Sequence, residues 1–197
     1  MQLDVDYLKD QIPYYLTQEA KENLVKALNK LPSFPDSVDY YTNRYPNEIM
    51  QGDGWPSLGI IQYETLEKKE VKGIILSNSC DISPENKRDF PAKVVFAPII
   101  KLNNYKKLLS NKKIPPEIIN SKLESIRKQY ITTLFYLPVG LGLEEEYIAL
   151  LDDIHTIPYQ SFANQKDKTK LFTLSQVGFY IFLFKLCLLY TSDAADE

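Results

Sequence analysis

The chain has little of what metal and cysteine chemistry requires. It contains one histidine, His155, and two cysteines, Cys80 and Cys187. A structural zinc site takes four ligands, and these residues fall short of it. Asp152 and Asp153 read as a solvated strand edge, so neither a metal nor another cofactor is expected. Long hydrophobic runs are also missing. No stretch approaches the ~20 apolar residues of a membrane span; the nearest, VGFYIFLFKL at residues 177–186, reads as a buried helix. The opening MQLDVDYLKD is charged from its fourth residue and lacks the apolar centre of a signal peptide. Internal repeats and low-complexity tracts are absent. The expectation is a cytoplasmic, bacterial-type protein with no membrane association.

The last residues, CLLYTSDAADE at 187–197, resemble the in-frame translation of a transposase-based sequencing adapter at every position. Such a tail is set aside in fold reasoning, as fusion scars are. That leaves Cys80 as the one cysteine, with no internal disulfide and no pointer to an oxidising compartment. It also removes Asp193, Asp196 and Glu197, bringing 26 acidic residues down to 23, against 23 Lys and Arg. The remainder is close to neutral, so net charge says nothing about partners. The natural chain is expected to continue differently after Leu186.

Residues 1–186 fit a single domain. Thr17 reads as an N-cap. Leu16, Ala20, Leu24, Ala27, Leu28 and Leu31 follow on one helical face until Pro32. Residues 1–47 therefore form a helical and loop segment. A turn at Gln51-Gly52-Asp53-Gly54 leads to a short strand within 55–63, strongest at 59–63, then a charged hairpin tip at 64–69 and a strand at 71–76. KVVFAPII at 93–100 is another strand. Two helices are expected at 103–111 and 117–133, the second opened by Pro115 and Pro116. Strands return at 135–138, 147–151 and 151–158. Thr173 and Gln176 have capping-box spacing before a C-terminal helix at 173–186. This order is α+β. Its centre is expected to be a small Src-homology-3-like, strongly bent antiparallel sheet or barrel over residues 50–160. An N-terminal helix, a helical insert at about 103–133 and a C-terminal helix complete it.

The order of the central elements resembles the PemK/MazF type of small barrel, the fold of many toxin ribonucleases. Gly52-Asp53 matches the opening of that pattern. Lys72 to Asn78, KGIILSN, matches its second strand. Val94 to Ile100, VVFAPII, matches its third, and residues 151–158 the fourth. The resemblance implies the barrel but not the chemistry. The family's catalytic arginine falls on Lys72, and a lysine cannot clamp phosphate bidentately. The family's threonine falls on Ile100, which has no hydroxyl.

Three groups of residues carry candidate chemistry. GIILSNSCDI at 73–82 is a buried strand ending in the polar cluster Ser77, Asn78 and Ser79, followed by Cys80 and Asp81. A thiolate needs a base or a positive field, and His155 is the one imidazole available. Cys80, Asp81 and His155 are therefore the catalytic candidates, with Cys80 and His155 expected in neighbouring strands or adjoining turns. The alternative is that Cys80 is a packing residue and His155 a strand residue. The third group is the insert. Lys101, Lys106, Lys107, Lys112, Lys113, Lys122, Arg127 and Lys128 face only Glu117 and Glu124, an excess of six positive charges in a nearly neutral protein. Tyr105 and Tyr130 flank them. Such a patch suits RNA, DNA or an acidic protein partner. The leading expectation is a binding protein. The alternatives are a cysteine-dependent hydrolase using Cys80 and His155, or a divergent endoribonuclease.

Overall fold

A computed structural model describes residues 40–62, 64–164 and 169–191; the helix expected after Thr17 lies outside them. The strands are β1 (Tyr41–Thr42), β2 (Gly54–Ile61), β3 (Lys68–Ile75), β4 (Lys93–Lys101), β5 (Leu134–Leu137), β6 (Tyr147–Leu150), β7 (His155–Pro158) and β8 (Thr173–Leu174). The helices are α1 (Ser79–Ile82), α2 (Leu102–Asn111), α3 (Pro116–Arg127), α4 (Tyr159–Ala163) and α5 (Gln176–Thr191). The α+β class holds. A six-stranded antiparallel sheet runs β2-β3-β4-β6-β5, with β7 also on β4. β2 pairs with β3 and β7 with β4 alone, so among the described residues the sheet is open and no barrel closes.

β4 organises the sheet, and its sequence shows why. Val94, Phe96, Ala97, Pro98 and Ile99 are all buried, the run expected of a strand covered on both faces. One edge takes β3. The other takes β7 over Lys93–Phe96 and β6 over Ile99–Lys101. Pro98 has no N–H to give and would normally be excluded from a central strand. The Leu76 N–H bonds the Val95 carbonyl, so alternation turns the Pro98 nitrogen away from β3. It therefore falls where the far edge changes partner, and no ladder bond is lost. The expected continuous strand at 151–158 is broken there by a turn at 151–154.

Other elements differ from expectation for local reasons. β2 fills Gly54–Ile61 rather than only the stretch from Gly59, and accommodates Pro56 in a bulge between Trp55 and Leu58. α3 stops at Arg127, because Gln129 turns into the left-handed region at φ 60. Its buried amide then serves Tyr136: Oε1 accepts the Tyr136 N–H at 3.0 Å and Nε2 donates to the Tyr136 carbonyl at 2.9 Å. Thr173 does not cap the last helix. It lies in β8, and Ser175 accepts the Gly178 N–H at 3.2 Å instead.

Three apolar clusters hold these elements. α5 packs through Ile181 and Phe182 onto Phe135, Leu137 and Ala149. Trp55, Leu58, Ile75, Phe96, Ile157 and Phe162 fill the space under β2, β3, β4 and β7. Leu102, Leu109, Ile119, Leu123 and Ile126 seat the α2–α3 hairpin on Leu134, Tyr136 and Ile148. α5 continues through residues 187–191 of the adapter-like string, where Leu189 packs against the first cluster. No helix among the described residues is long and apolar enough to cross a membrane.

Candidate nucleic-acid interface

The insert is a helical hairpin carried directly on the end of β4. Leu102 and Leu109 of α2, with Ile119, Leu123 and Ile126 of α3, point at the sheet. That spacing turns Lys107 outward, and Lys106, at the margin of the buried face, is exposed as well. α2 ends with the Lys112 N–H on the Leu108 carbonyl and the Lys113 N–H on the Ser110 carbonyl. Lys113 has φ 57, which sharpens the turn into Pro115 and projects both lysines at the hairpin tip. Lys106, Lys107, Lys112 and Lys113 are exposed, and none has an acidic partner among the described residues.

The other four basic residues are differently placed. Lys101 is bound to Glu145, which raises its pKa. Lys122 lies over the Tyr105 ring, 5.6 Å from its centroid. Lys128 is half-buried beside the α3 end. Arg127 clamps Glu146 with two parallel bonds, Nε to Oε1 at 2.7 Å and Nη2 to Oε2 at 2.8 Å, and reaches Glu124 at 2.9 Å. Tyr136 donates its hydroxyl to the same Glu146 at 2.6 Å. The Arg127 guanidinium holds the Glu146 carboxyl below its ordinary range, and the Tyr136 hydroxyl is pushed up by burial. Arg127 and Lys101 therefore tie the hairpin to the strand entering β6, which a count of charges along the sequence does not show. A shallow groove runs along α3, lined by Glu117, Ile118, Ser121, Lys122 and Ser125 and reaching Tyr130 beyond the helix end.

The cysteine candidates lie elsewhere. β3 ends at Ile75, and Ser79–Ile82 form a single helical turn capped by Asn78, whose Oδ1 accepts the Cys80 N–H at 2.9 Å. Cys80 is exposed, and Asp81 beside it is exposed too. The serines of the cluster serve the backbone. Ser77 Oγ accepts the Val95 N–H at 2.7 Å, and Ser79 Oγ accepts the Gln51 N–H at 2.9 Å. His155 sits in β7 with Nε2 2.9 Å from Asp153 Oδ1 and its ring stacked on Phe96. It lines a cleft of about 530 Å³ between β7 and the β2–β3 hairpin, and Cys80 does not. Cys80 lies in the connection from β3 to β4, and His155 lies in β7, the strand that pairs with β4. No bond joins the two side chains. The positions matching the toxin family are also occupied structurally. Lys72 Nζ contacts the Tyr147 hydroxyl at 3.1 Å, and Ile100 pairs with Ile148.

Two buried ionisable groups escaped the sequence reading. Asp53, taken as a turn residue, is 0 % exposed and accepts from Lys170, Thr173 and the Met50 N–H. Lys185 is 1 % exposed inside α5. A lone lysine within VGFYIFLFKL was the available signal for the second. Nothing near Asp53 in sequence announces Lys170. No group of three or more His, Cys, Asp or Glu among the described residues could hold a metal ion. No protein-family model matches the chain, and no curated protein is similar enough to it to count as a match.

Proposed function

We propose that this protein binds the phosphate backbone of single-stranded RNA or DNA through the tip of its α2–α3 hairpin. The observation that carries the reading is the cluster Lys106, Lys107, Lys112 and Lys113, exposed and without acidic partners among the described residues, on a rigid support. Lys101, Lys122, Arg127 and Lys128 belong to the surrounding basic surface, with Arg127 positioning the hairpin rather than touching ligand. Tyr130 in the adjoining groove offers a ring on which a base can stack. We read the open sheet as a relative of the PemK/MazF-like barrel used as a scaffold. Lys72 and Ile100 supply neither the fork nor the hydroxyl of the ribonuclease pattern, so binding without cleavage is the form proposed. A cysteine-dependent activity gains no support from an exposed Cys80 that lies outside the cleft lined by His155.

The test is a titration of labelled single-stranded RNA and DNA at two salt concentrations. Each phosphate contact contributes about 0.7 to the salt slope for single strands, so four contacts weaken binding about fifty-fold between roughly 50 and 200 mM salt. Changing Lys106, Lys107, Lys112 and Lys113 together to Glu should abolish binding while circular dichroism stays unchanged. Binding by the variant equal to that of the original chain overturns the assignment. Binding of an acidic peptide in place of either nucleic acid would transfer the same surface to a protein partner.

A further inference from the structure

The buried lysine of α5 reaches the end of the helical hairpin. Lys185 Nζ donates to the Gln129 carbonyl at 2.8 Å and to the Ile131 carbonyl, both just beyond the last turn of α3. The Gln129 side chain in turn donates to the Tyr40 hydroxyl and the Tyr136 carbonyl, so one amine closes a buried polar chain across α5, α3 and β5. No carboxylate pairs with Lys185 among the described residues. On the elements that meet here, Arg127 is held by Glu146 and Glu124, and Lys128 is a like charge. Tyr136 donates to Glu146, and Tyr40 donates to the Tyr136 carbonyl. α5 itself carries no other charged residue.

The donor count distinguishes the two protonation states. An ammonium has three N–H donors, and this site supplies two acceptors. A neutral amine has two, and both are satisfied. The third donor of the charged form is left in an apolar, water-excluded place, where an unmade bond to a charged group is expensive. We propose that Lys185 is a proton-sensitive clasp: neutral, it fastens α5 to the end of the hairpin; protonated, it weakens that docking. This does not depend on what the hairpin binds. Burial pulls the Lys185 pKa down to about 7, against the opposing pull of two carbonyls at a helix C-terminus. In the unfolded chain the amine keeps an ordinary value near 10.4. Between the two values the unfolded state binds more protons, so this lysine's contribution to stability rises with pH from about 7. Below about 7 both states are charged and the contribution is at its lowest.

Unfolding of the full chain and of Lys185→Met should be followed in urea at about pH 6 and pH 9. The folding equilibrium of the original chain relative to the variant should improve about a hundred-fold between these conditions, one tenfold step for each pH unit above 7. An equal ratio at the two pH values overturns the clasp. Should the variant fail to fold, the ¹³Cε resonance of Lys185 in the original chain gives an independent measurement. A titration midpoint near 7 supports the proposal, and one above about 9.5 overturns it.

Discussion

Replacing Lys170 with methionine isolates the tie that closes the start of β2 against the segment before α5. Asp53 is fully buried, with Lys170 Nζ 2.8 Å from Oδ2, the Met50 N–H at 2.7 Å and the Thr173 hydroxyl at 2.8 Å. The same ammonium donates to the Tyr45 carbonyl and lies 5.7 Å from the Trp55 ring centroid. Methionine keeps most of the stem and removes the charge. The carboxylate then keeps two donors and no counter-charge, and breaking one side of a buried pair costs about 3–5 kcal/mol. Asp53 can escape only by taking a proton. Burial already raises its pKa in the original chain, with Lys170 the leading influence against that rise. Without Lys170 the value climbs further. A carboxyl raised in the folded state loses stability as pH rises through the gap between its unfolded and folded values. The penalty of Lys170→Met should therefore be about 4 kcal/mol at pH 7 and shrink to about 1–2 kcal/mol near pH 4, where only the lost hydrogen bonds and ring contact remain. Urea unfolding at both pH values measures it, with Trp55 fluorescence and circular dichroism as separate probes. A penalty that does not change with pH, or one below 1 kcal/mol at pH 7, would refute the assignment of Asp53 as a buried anion held by Lys170.

Two further outcomes follow from the same geometry. Cys80→Ala should change stability by less than about 0.5 kcal/mol, as surface substitutions usually do, and His155→Ala should leave the maleimide-labelling rate of Cys80 unaltered. A fall in that rate would restore the cysteine–histidine pairing. Arg127→Lys loses the parallel two-bond clamp on Glu146 and should cost about 1 kcal/mol, after allowance for the partial exposure of both side chains. Glu146 is held low by Arg127, so this contribution is present above the unfolded carboxyl value and fades as pH falls through the folded one. Denaturation at pH 7 and pH 3.5 would show the difference.

What the sequence makes legible is whatever depends on neighbours along the chain. KVVFAPII announces β4 because an unbroken apolar run needs cover on both faces, and the prolines at 115 and 116 announce α3 because proline suits a first helical turn. Lys106, Lys107, Lys112 and Lys113 are legible as a local run of positive charge, although helical spacing turns only Lys107 away from Leu102 and Leu109. Partners distant in sequence are not legible. β1 and β8 are two residues each and pair across the length of the described chain, with Tyr41 opposite Leu174. No propensity marks so short a strand. A second, close approach fixes this region: a Cβ at Gly54 would lie 2.2 Å from the Phe172 ring, so only glycine lets β2 receive that segment. Asp53 looked like a turn residue because its local signal, Gly-Asp-Gly, is a turn signal; the lysine that makes it a buried anchor is more than a hundred positions away. The same limit governs the charge count of the insert. Sequence neighbours gave Arg127 a ligand-facing role equal to that of Lys106, whereas Glu146, arriving from beyond β5, ties it to the fold. Charge that remains exposed after such long-range pairing is the better guide to a binding surface, and here it narrows eight candidates to the four lysines at the tip.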